Sequence, residues 1–548
     1  MVTSLRRLTG KSEAIVAVAL LAALVLYPWA RAALADGSGP KVLILEFHGM
    51  KQGILADNLS SLPHFQELIQ GKEDEQAFVY FPRVFTTIQA ASQPAVTSMY
   101  TGLSPQRTGV VSTIWFDRRT ASVQTLISYT QERINRILAA GRVKTLFDYV
   151  AEYGGRSMTT MLMVTQGADW SLRSGAFFWG NASVIGFLRN HRWIPDASRV
   201  DEKTVSAFLS GHLASYANSL RGIWGGYRIV PDVMAVQLLG IDLFSHYPAP
   251  DLVKRGATMD EVQGYYARTV LDPLVGRLIR ELKEIGCYRQ TIFVLVSEHG
   301  FTRIQTRVPD DTVDKSLARG FKLPGFMRPD REAEAVIMPG ACTKEIYLKN
   351  RGSGEWMDPP RLLGDVKPAV DLLLDNPDIQ ASMNAMVIRQ YPGERHEGIA
   401  EDDQWWRFNW QAYRDSSRDD EAFLSALGPL ADMKANFELG DYVVQGLTHQ
   451  YTRDTAPDIQ IINREGVYFE GDLSKYAHHG SYYPADCLVS FWVAGPGLAR
   501  VISGRHTIEH TASTLDLAPM VTGLLGIPVP EGLDGENPLS GLEGMSPP

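Results

Sequence analysis

Cysteine is scarce in this chain, and its few cysteines stand nowhere near one another. Cys287, Cys342 and Cys487 are the only three in 548 residues, with no Cys-x-x-Cys spacing among them. An odd number so widely spread allows one disulfide at most, excludes a cysteine zinc cluster, and reads as buried or incidental thiols. Basic excess is lacking as well. Against 53 Lys and Arg stand 62 Asp and Glu, for a formal net charge of −9 and a pI near 5.8. That balance excludes a nucleic-acid polymer as the main partner. It leaves room for a local positive pocket that takes a small anion. No internal repeat is present. Hydrophobic residues make up 45% and charged residues 21%, so the chain is not a disordered one. Its length suits one large α/β domain with insertions, or two domains.

The N-terminus has the three parts of an export signal. Arg6, Arg7 and Lys11 form a basic start, and Ile15–Leu26 is unbroken and apolar. Ala33-Leu34-Ala35 then supplies small residues for cleavage before Asp36. The uncharged stretch from Ala14 to Ala30 is about 17 residues, just under a full membrane span. Residues 1–35 are therefore expected to be a signal peptide, with an uncleaved membrane anchor as the alternative. Either way the body of the protein is expected outside the cytoplasm, periplasmic or secreted. Membrane contact is expected only through that segment.

Beyond it, three apolar stretches stop on residues that bind metals. Lys41–Met50 reads KVLILEFHGM, Val233–His246 reads VMAVQLLGIDLFSH, and Thr291–Gly300 reads TIFVLVSEHG. Short runs rich in Val, Ile and Leu mark strands buried on both faces. In parallel α/β sheets, ligands bind at the strand ends. A fourth, His-rich turn lies at AHHGS, Ala477–Ser481. Together these endings predict one metal centre assembled from distant parts of the chain.

Between them, helix-like and strand-like segments alternate. Lys144–Tyr153, Asp201–Leu220 and the long amphipathic Met259–Ile285 read as helices. The βαβ alternation predicts a mostly parallel central sheet with helices on both faces. From about residue 304 to 442 the pattern breaks into Pro-, Arg-, Asp- and Gly-rich sequence with one strand (Lys344–Lys349) and one helix (Val366–Leu374). An inserted cap is expected over 304–442, between core segments 41–303 and 443–540, with parts of it belonging to the core. The core is expected to resume at Ala456–Ile461, continue through Cys487–Ala494, and finish with a helix over Ala512–Leu525 before a frayed tail. Within the cap, Gln404–Tyr413 concentrates Trp405, Trp406, Phe408, Trp410 and Tyr413. These aromatics form either a stacking surface for a base, sugar or headgroup, or a small hydrophobic core. The core is the simpler reading.

Ser92 opens SQPAVTSMYTGLSPQRTGV. Pro94, followed by good helix formers, places Ser92 at or near a helix N-terminus, where unpaired N–H groups favour an anion. On its own that describes an ordinary capping serine. Beside a metal centre it becomes a candidate nucleophile, because coordination is one way to activate a hydroxyl. Asp242 and His246 are four apart, so one helical turn would present both to one ion. Glu298 and His299 are adjacent and need a backbone bend, which Gly300 supplies. His48 and His479 are likewise followed by glycines, Gly49 and Gly480. His478, His506 and His510 read equally well as partners that orient ligands or as surface histidines.

At this point the chain resembles the alkaline phosphatase superfamily, and within it the type I phosphodiesterase/nucleotide pyrophosphatase family. The resemblance rests on ordered motifs: EFHG, SQPAVTSMYTGLSPQRTG, DLFSH, SEHG, HHG and HTASTLDLAPM. It runs from Lys41 to about Leu539, loosely across the insertion. It implies an alkaline phosphatase-like fold and a hydrolase of phosphate esters, diesters before monoesters, acting on a small phosphorylated substrate. It further implies two divalent ions, most simply Zn2+. One would be held by Asp242, His246 and His479, the other by His48, Glu298, His299 and the nucleophile Ser92. The chain departs from the family pattern in having His48 and Glu298 where Asp is usual, and Ser92 where Thr is commoner. Glu46, two residues before His48, is a substitute ligand to be considered. Two other functions stay open: a weakly active or non-catalytic relative that binds a phosphorylated ligand, and a sulfuric-ester hydrolase. The second is raised by the sulfatase-like register around Ser92, although the sulfatase motif's Arg is missing.

Overall fold

The structure is a computed structural model, and it describes residues 39–71, 76–127, 130–172, 197–209, 230–324, 332–391 and 404–542. The N-terminal export segment, the second half of the helix expected from Asp201 and the end of the tail lie outside these residues. Among the described residues no helix is long and apolar enough to cross a membrane.

The three metal-ending stretches are the centre of one sheet. The strand Lys41–Phe47 is buried along its whole length, between Val233–Leu238 on one side and Thr291–Val296 on the other. All three run parallel. Register pairs Phe47 with Leu238 and Glu46 with Val296, so the three chains leave the sheet at one edge. Their side chains alternate between two cores, as the period of two requires. Val42, Ile44, Ala235 and Val294 face one core, and Leu43, Leu45, Val236 and Leu295 face the other. Ser157–Thr160 and Trp170–Leu172 extend the sheet in parallel beyond Val233–Leu238. On the other flank, Leu488–Ala494 is the one antiparallel member, followed by Phe78–Phe85 and the short Arg505–Thr507 and Ala512–Ser513. The sheet is mostly parallel, as expected.

Helices cover both faces. Against the first core pack Ser92–Thr101, Leu146–Glu152 and Leu517–Leu524, through residues such as Val96, Met99, Phe147 and Val521. Against the second pack Pro63–Gln70 and the long segment after Thr258. That segment starts in a capping box, the Thr258 hydroxyl accepting from Glu261 N–H while the Glu261 carboxylate accepts from Thr258 N–H. It runs Met259–Tyr266, widens into a π turn over Ala267–Leu271, and continues as Asp272–Ile285. Pro273 lacks the N–H that would bond one turn back, and a widened turn next to it is one way the ladder absorbs that loss.

A second sheet of six strands, antiparallel throughout, is built mostly from the 304–442 segment. Its order is Ala335–Pro339, Thr343–Leu348, Ile459–Asn463, Met383–Arg389, Trp405–Phe408 and Leu427–Pro429. Two differences from the sequence reading stand out. Among its described residues the segment gives five strands to this sheet rather than one, and a further short strand, Thr306–Val308, pairs with Val467–Phe469. Ile459–Asn463, read as the return of the core, is a central strand of this second sheet instead. An apolar run records that a strand is buried, not which sheet buries it. Trp406, Phe408, Trp410 and Tyr413 lie in the core beneath this sheet, and Trp405 lies in the first core. All five aromatics are at most 4% exposed. They are packing, not a stacking surface.

Candidate active site

At the shared edge of the parallel strands, Ser92 and the six expected metal ligands His48, Asp242, His246, Glu298, His299 and His479 arrive in one place. His48 follows its strand directly, and Gly49, at φ 74°, turns the chain away. After Val233–Leu238 the chain enters the helix Gly240–His246, which carries both Asp242 and His246. Glu298 and His299 follow Thr291–Val296. Gly300 serves close approach rather than a left-handed turn: a Cβ there would sit 2.1 Å from the Ala485 carbonyl oxygen. Gly480, at φ 95°, does make a left-handed turn behind His479.

Ser92 is the first residue of its helix, and Ala91 occupies the capping position without a side-chain bond. The serine hydroxyl is therefore not spent on capping. Its Oγ lies 3.1 Å from His48 Nε2 and 3.2 Å from His299 Nε2.

The four histidines share one design. His246 Nδ1 bonds the Ala477 carbonyl at 2.8 Å, His299 Nδ1 the Gly300 carbonyl at 3.0 Å, and His479 Nδ1 the Ala90 carbonyl at 3.1 Å. Each bond places the ring proton on Nδ1 and turns the Nε2 lone pair into the site. His48 does the same with a carboxylate, its Nδ1 lying 2.8 Å from Glu298 Oε1. Imidazoles fixed through Nδ1 with Nε2 free are how proteins prepare histidines for metal. Asp242 lies between two of them, Oδ2 3.8 Å from His246 Nε2 and Oδ1 3.8 Å from His479 Nε2. Asp242 Oδ1 accepts no hydrogen bond. An orphaned carboxylate oxygen beside the Nε2 atoms of two neutral imidazoles, with the Glu298 carboxylate close by, fits a site for cations. The donor set, nitrogen and carboxylate oxygen without thiolate, suits zinc and tolerates manganese or iron.

Electrostatics agree with this for three of the four rings. Burial holds His246 and His299 well below their ordinary pKa and brings His479 down to about 3, so these rings are neutral. Burial also pushes Asp242 up to about 7. For His48, burial pulls down, but the charge and hydrogen bond of Glu298 together with the Asp242 and Glu46 carboxylates outweigh it, raising the ring to about 9. Burial and then the Glu298 charge lift Glu46 to about 8.

Glu46 stands one layer behind the site. Its ligand-capable oxygen groups with His48 and Glu298, whereas His48 also groups with Asp242 and His299. Gln237 bridges the two layers, its amide lying 2.6 Å from Glu46 Oε1 and 3.0 Å from His48 Nδ1. The sequence reading passed over Gln237, though a lone amide in the apolar run VMAVQL was a signal. It also missed Lys475, which pairs with Glu470 at 2.8 Å and lies 3.1 Å from His478 Nε2. His478 falls in a ligand-capable group with His246 and His479. His506 bonds the Ser503 carbonyl, His510 is exposed, and neither joins these groups. Asp486 had no local signal. Its carboxylate accepts from Ser481 N–H and Thr302 Oγ1 and its carbonyl from Gly300 N–H, tying the His299 and His479 loops together. All three cysteines are buried and free.

A parallel sheet with this histidine–carboxylate cluster at its edge is the architecture of the alkaline phosphatase superfamily. Within it, the sequence pattern described as type I phosphodiesterase / nucleotide pyrophosphatase matches residues 42–482, and the chain belongs to that family. Among solved structures, the fold is similar to murine ectonucleotide pyrophosphatase/phosphodiesterase 5, solved in an inactive form in complex with AMP. The two share 15% identity over 90% of this chain and 96% of the other, with a TM-score of 0.52. The human ectonucleotide pyrophosphatase/phosphodiesterase 5 gives 14% identity, 89% and 96% coverage, and a TM-score of 0.53. No curated protein matches the sequence.

Proposed function

We propose that this chain is an exported, metal-dependent hydrolase of phosphate diesters that uses Ser92 as its nucleophile. The observation that carries the reading is the position of Ser92 Oγ, at the head of a ten-residue helix and between two inward-facing imidazole nitrogens. Asp242, His246 and His479 would hold one divalent ion. His48, Glu298, His299 and Ser92 would hold the other, with Glu46 in reserve. Two such ions, most simply zinc, neutralise phosphate charge and make a serine hydroxyl a competent nucleophile at neutral pH.

The chain's own groups do the rest. The Ser92 and Gln93 N–H groups in the first turn of the helix, where Pro94 has none, would favour negative charge on the oxygens of a phosphate bound there. Ser92 Oγ, giving its proton to solvent, attacks phosphorus. The bond to one alkoxide breaks, and that alkoxide leaves as the alcohol after taking a proton from water. The Ser92 phosphate ester, still carrying the second ester group, remains for water to cleave. Glu298 and Gly300 hold His48 and His299 with Nε2 towards Ser92, and Ala90 holds His479 with Nε2 towards Asp242. The AMP bound to the murine neighbour suggests small nucleotides as the substrate class. Residues 304–442 are the inserted cap in this reading.

Metal analysis followed by aryl phosphate diester, monoester and sulfate substrates side by side tests it. The expected result is two metal equivalents and fastest turnover of the diester. Two metals with no turnover would make the chain a phospho-ligand-binding relative, and sulfate turnover would make it a sulfuric-ester hydrolase.

A further inference from the structure

Glu345 is 2% exposed on a strand of the second sheet, and all its hydrogen-bond partners are neutral. Tyr451 OH donates to its Oε1 at 2.7 Å and Tyr347 OH to its Oε2 at 3.3 Å. Its remaining donor is the Gln89 amide, which also reaches Tyr451 OH at 3.0 Å. A buried carboxylate without a cation is costly, and packing alone would be served better by an apolar residue. Burial pushes its pKa up to about 7.

Gln89 is not a remote partner. It begins the turn that carries Ala90, whose carbonyl fixes His479 Nδ1, and that delivers Ser92 to its helix. Directly across the sheet from Glu345, in register, stands Gln460. Its amide donates at 2.8 Å to Tyr482 OH, three residues after His479. One cross-strand pair of the second sheet therefore holds both loops, through Gln89 on one side and Tyr482 on the other.

We infer that Glu345 and Gln460 are positioning residues that set the separation of Ser92 and His479 by bonding the two loops that carry them. The inference rests on the proposed roles of Ser92 and His479. Neither Glu345 nor Gln460 is placed to meet substrate. Their effect is on geometry, where an error of about 1 Å costs about 10²-fold in rate.

The test replaces Glu345 by Ala and by Gln, and Gln89 by Ala as a second variant should Glu345→Ala fail to fold. Glu345→Ala is expected to lower kcat about 10- to 100-fold with KM within about two-fold, as a positioning error would. Glu345→Gln, which keeps an acceptor for Gln89, is expected to restore most of it. Amide hydrogen exchange on the same proteins needs no substrate. It is expected to quicken over residues 86–92 and 478–483 and to stay unchanged in the strand Lys41–Phe47. If wild type hydrolyses no phosphate ester, the proposed function fails and the exchange result alone decides the coupling. Unchanged kcat in Glu345→Ala, or exchange that quickens everywhere equally or nowhere, would overturn it.

Discussion

His299 and His479 lie face to face, their ring centroids 3.8 Å apart and their planes 14° from parallel. Two imidazolium cations could not share that stack, and burial keeps both rings neutral. The sign of the pH dependence follows for the metal-free protein. His479 titrates at about 3 when folded against 6.5 when free, so it costs nothing above pH 6.5 and removes stability as pH falls towards 3. Glu46, raised from 4.5 to about 8, removes stability as pH rises through that window. His48, raised from 6.5 to about 9, contributes stability fully below 6.5 and loses it towards 9. Above pH 7 both act in one direction. The melting temperature in chelator should therefore fall from pH 7 to 9, and Glu46→Gln should flatten that fall. Zinc should reverse the slope, because its ligands bind deprotonated. Calorimetry with and without zinc checks this, and identical slopes would show that the cluster holds no metal.

Ser92→Ala should abolish turnover, by at least about 10³-fold, and leave the fold intact. The hydroxyl caps nothing, since Ala91 holds the capping position, so its loss should not unravel the helix. Phosphodiester hydrolysis with metal content and a thermal melt on the same sample measures both halves. Near wild-type rate in the variant would reduce Ser92 to an ordinary helix residue.

Much of this candidate site was legible because its clustered residues sit where the local pattern breaks. An apolar run that ends in EFHG, GIDLFSH or SEHG announces both a buried strand and its functional end. Ser92 was legible through Pro94 and the helix-forming residues behind it. What was hidden depends on long-range pairing. Ile459–Asn463 looks like any buried strand, and its place beside Thr343–Leu348 is set by partners over a hundred residues away. Glu345 reads as a polar residue in a half-buried strand until Gln89 is brought against it. Asp486 and Lys475 act only through loops that the fold brings together.

Asp242→Ala and His479→Ala should each lose one metal equivalent while keeping the other. Asp242 lies 3.8 Å from both His246 Nε2 and His479 Nε2, so either change opens the same set of donors. Metal analysis after gel filtration is the measurement. Two equivalents retained in either variant would take that residue out of the coordination set.

Gly300→Ala tests the backbone that aims Glu298 and His299. The new Cβ would lie 2.1 Å from the Ala485 carbonyl oxygen, so the two loops must part. The hydrogen bond from Gly300 N–H to the Asp486 carbonyl, 2.8 Å, would stretch with them. The expected loss is about 1–3 kcal/mol of stability, read from urea unfolding, together with weaker zinc binding. A stability within about 0.5 kcal/mol of wild type, the range of an ordinary surface change, would mean the loops yield freely.

His48→Asp asks what an imidazole does at a position where the sequence resemblance implies a carboxylate. Glu46 and Glu298 already stand behind position 48, both fully buried. A third carboxylate there adds repulsion that only a cation relieves, so the metal-free variant should melt below wild type. With metal the balance reverses. The extra negative charge should tighten binding at the site that includes Ser92. It also makes that site one unit less positive, so the Ser92 hydroxyl loses its proton less readily and the activity optimum should move to higher pH. Zinc titration and a pH–rate profile of both proteins measure the two effects separately. If His48→Asp binds zinc no more tightly and its profile does not move, position 48 lies outside the coordination sphere. Glu46, bonded to Gln237 one layer behind, would then be the ligand.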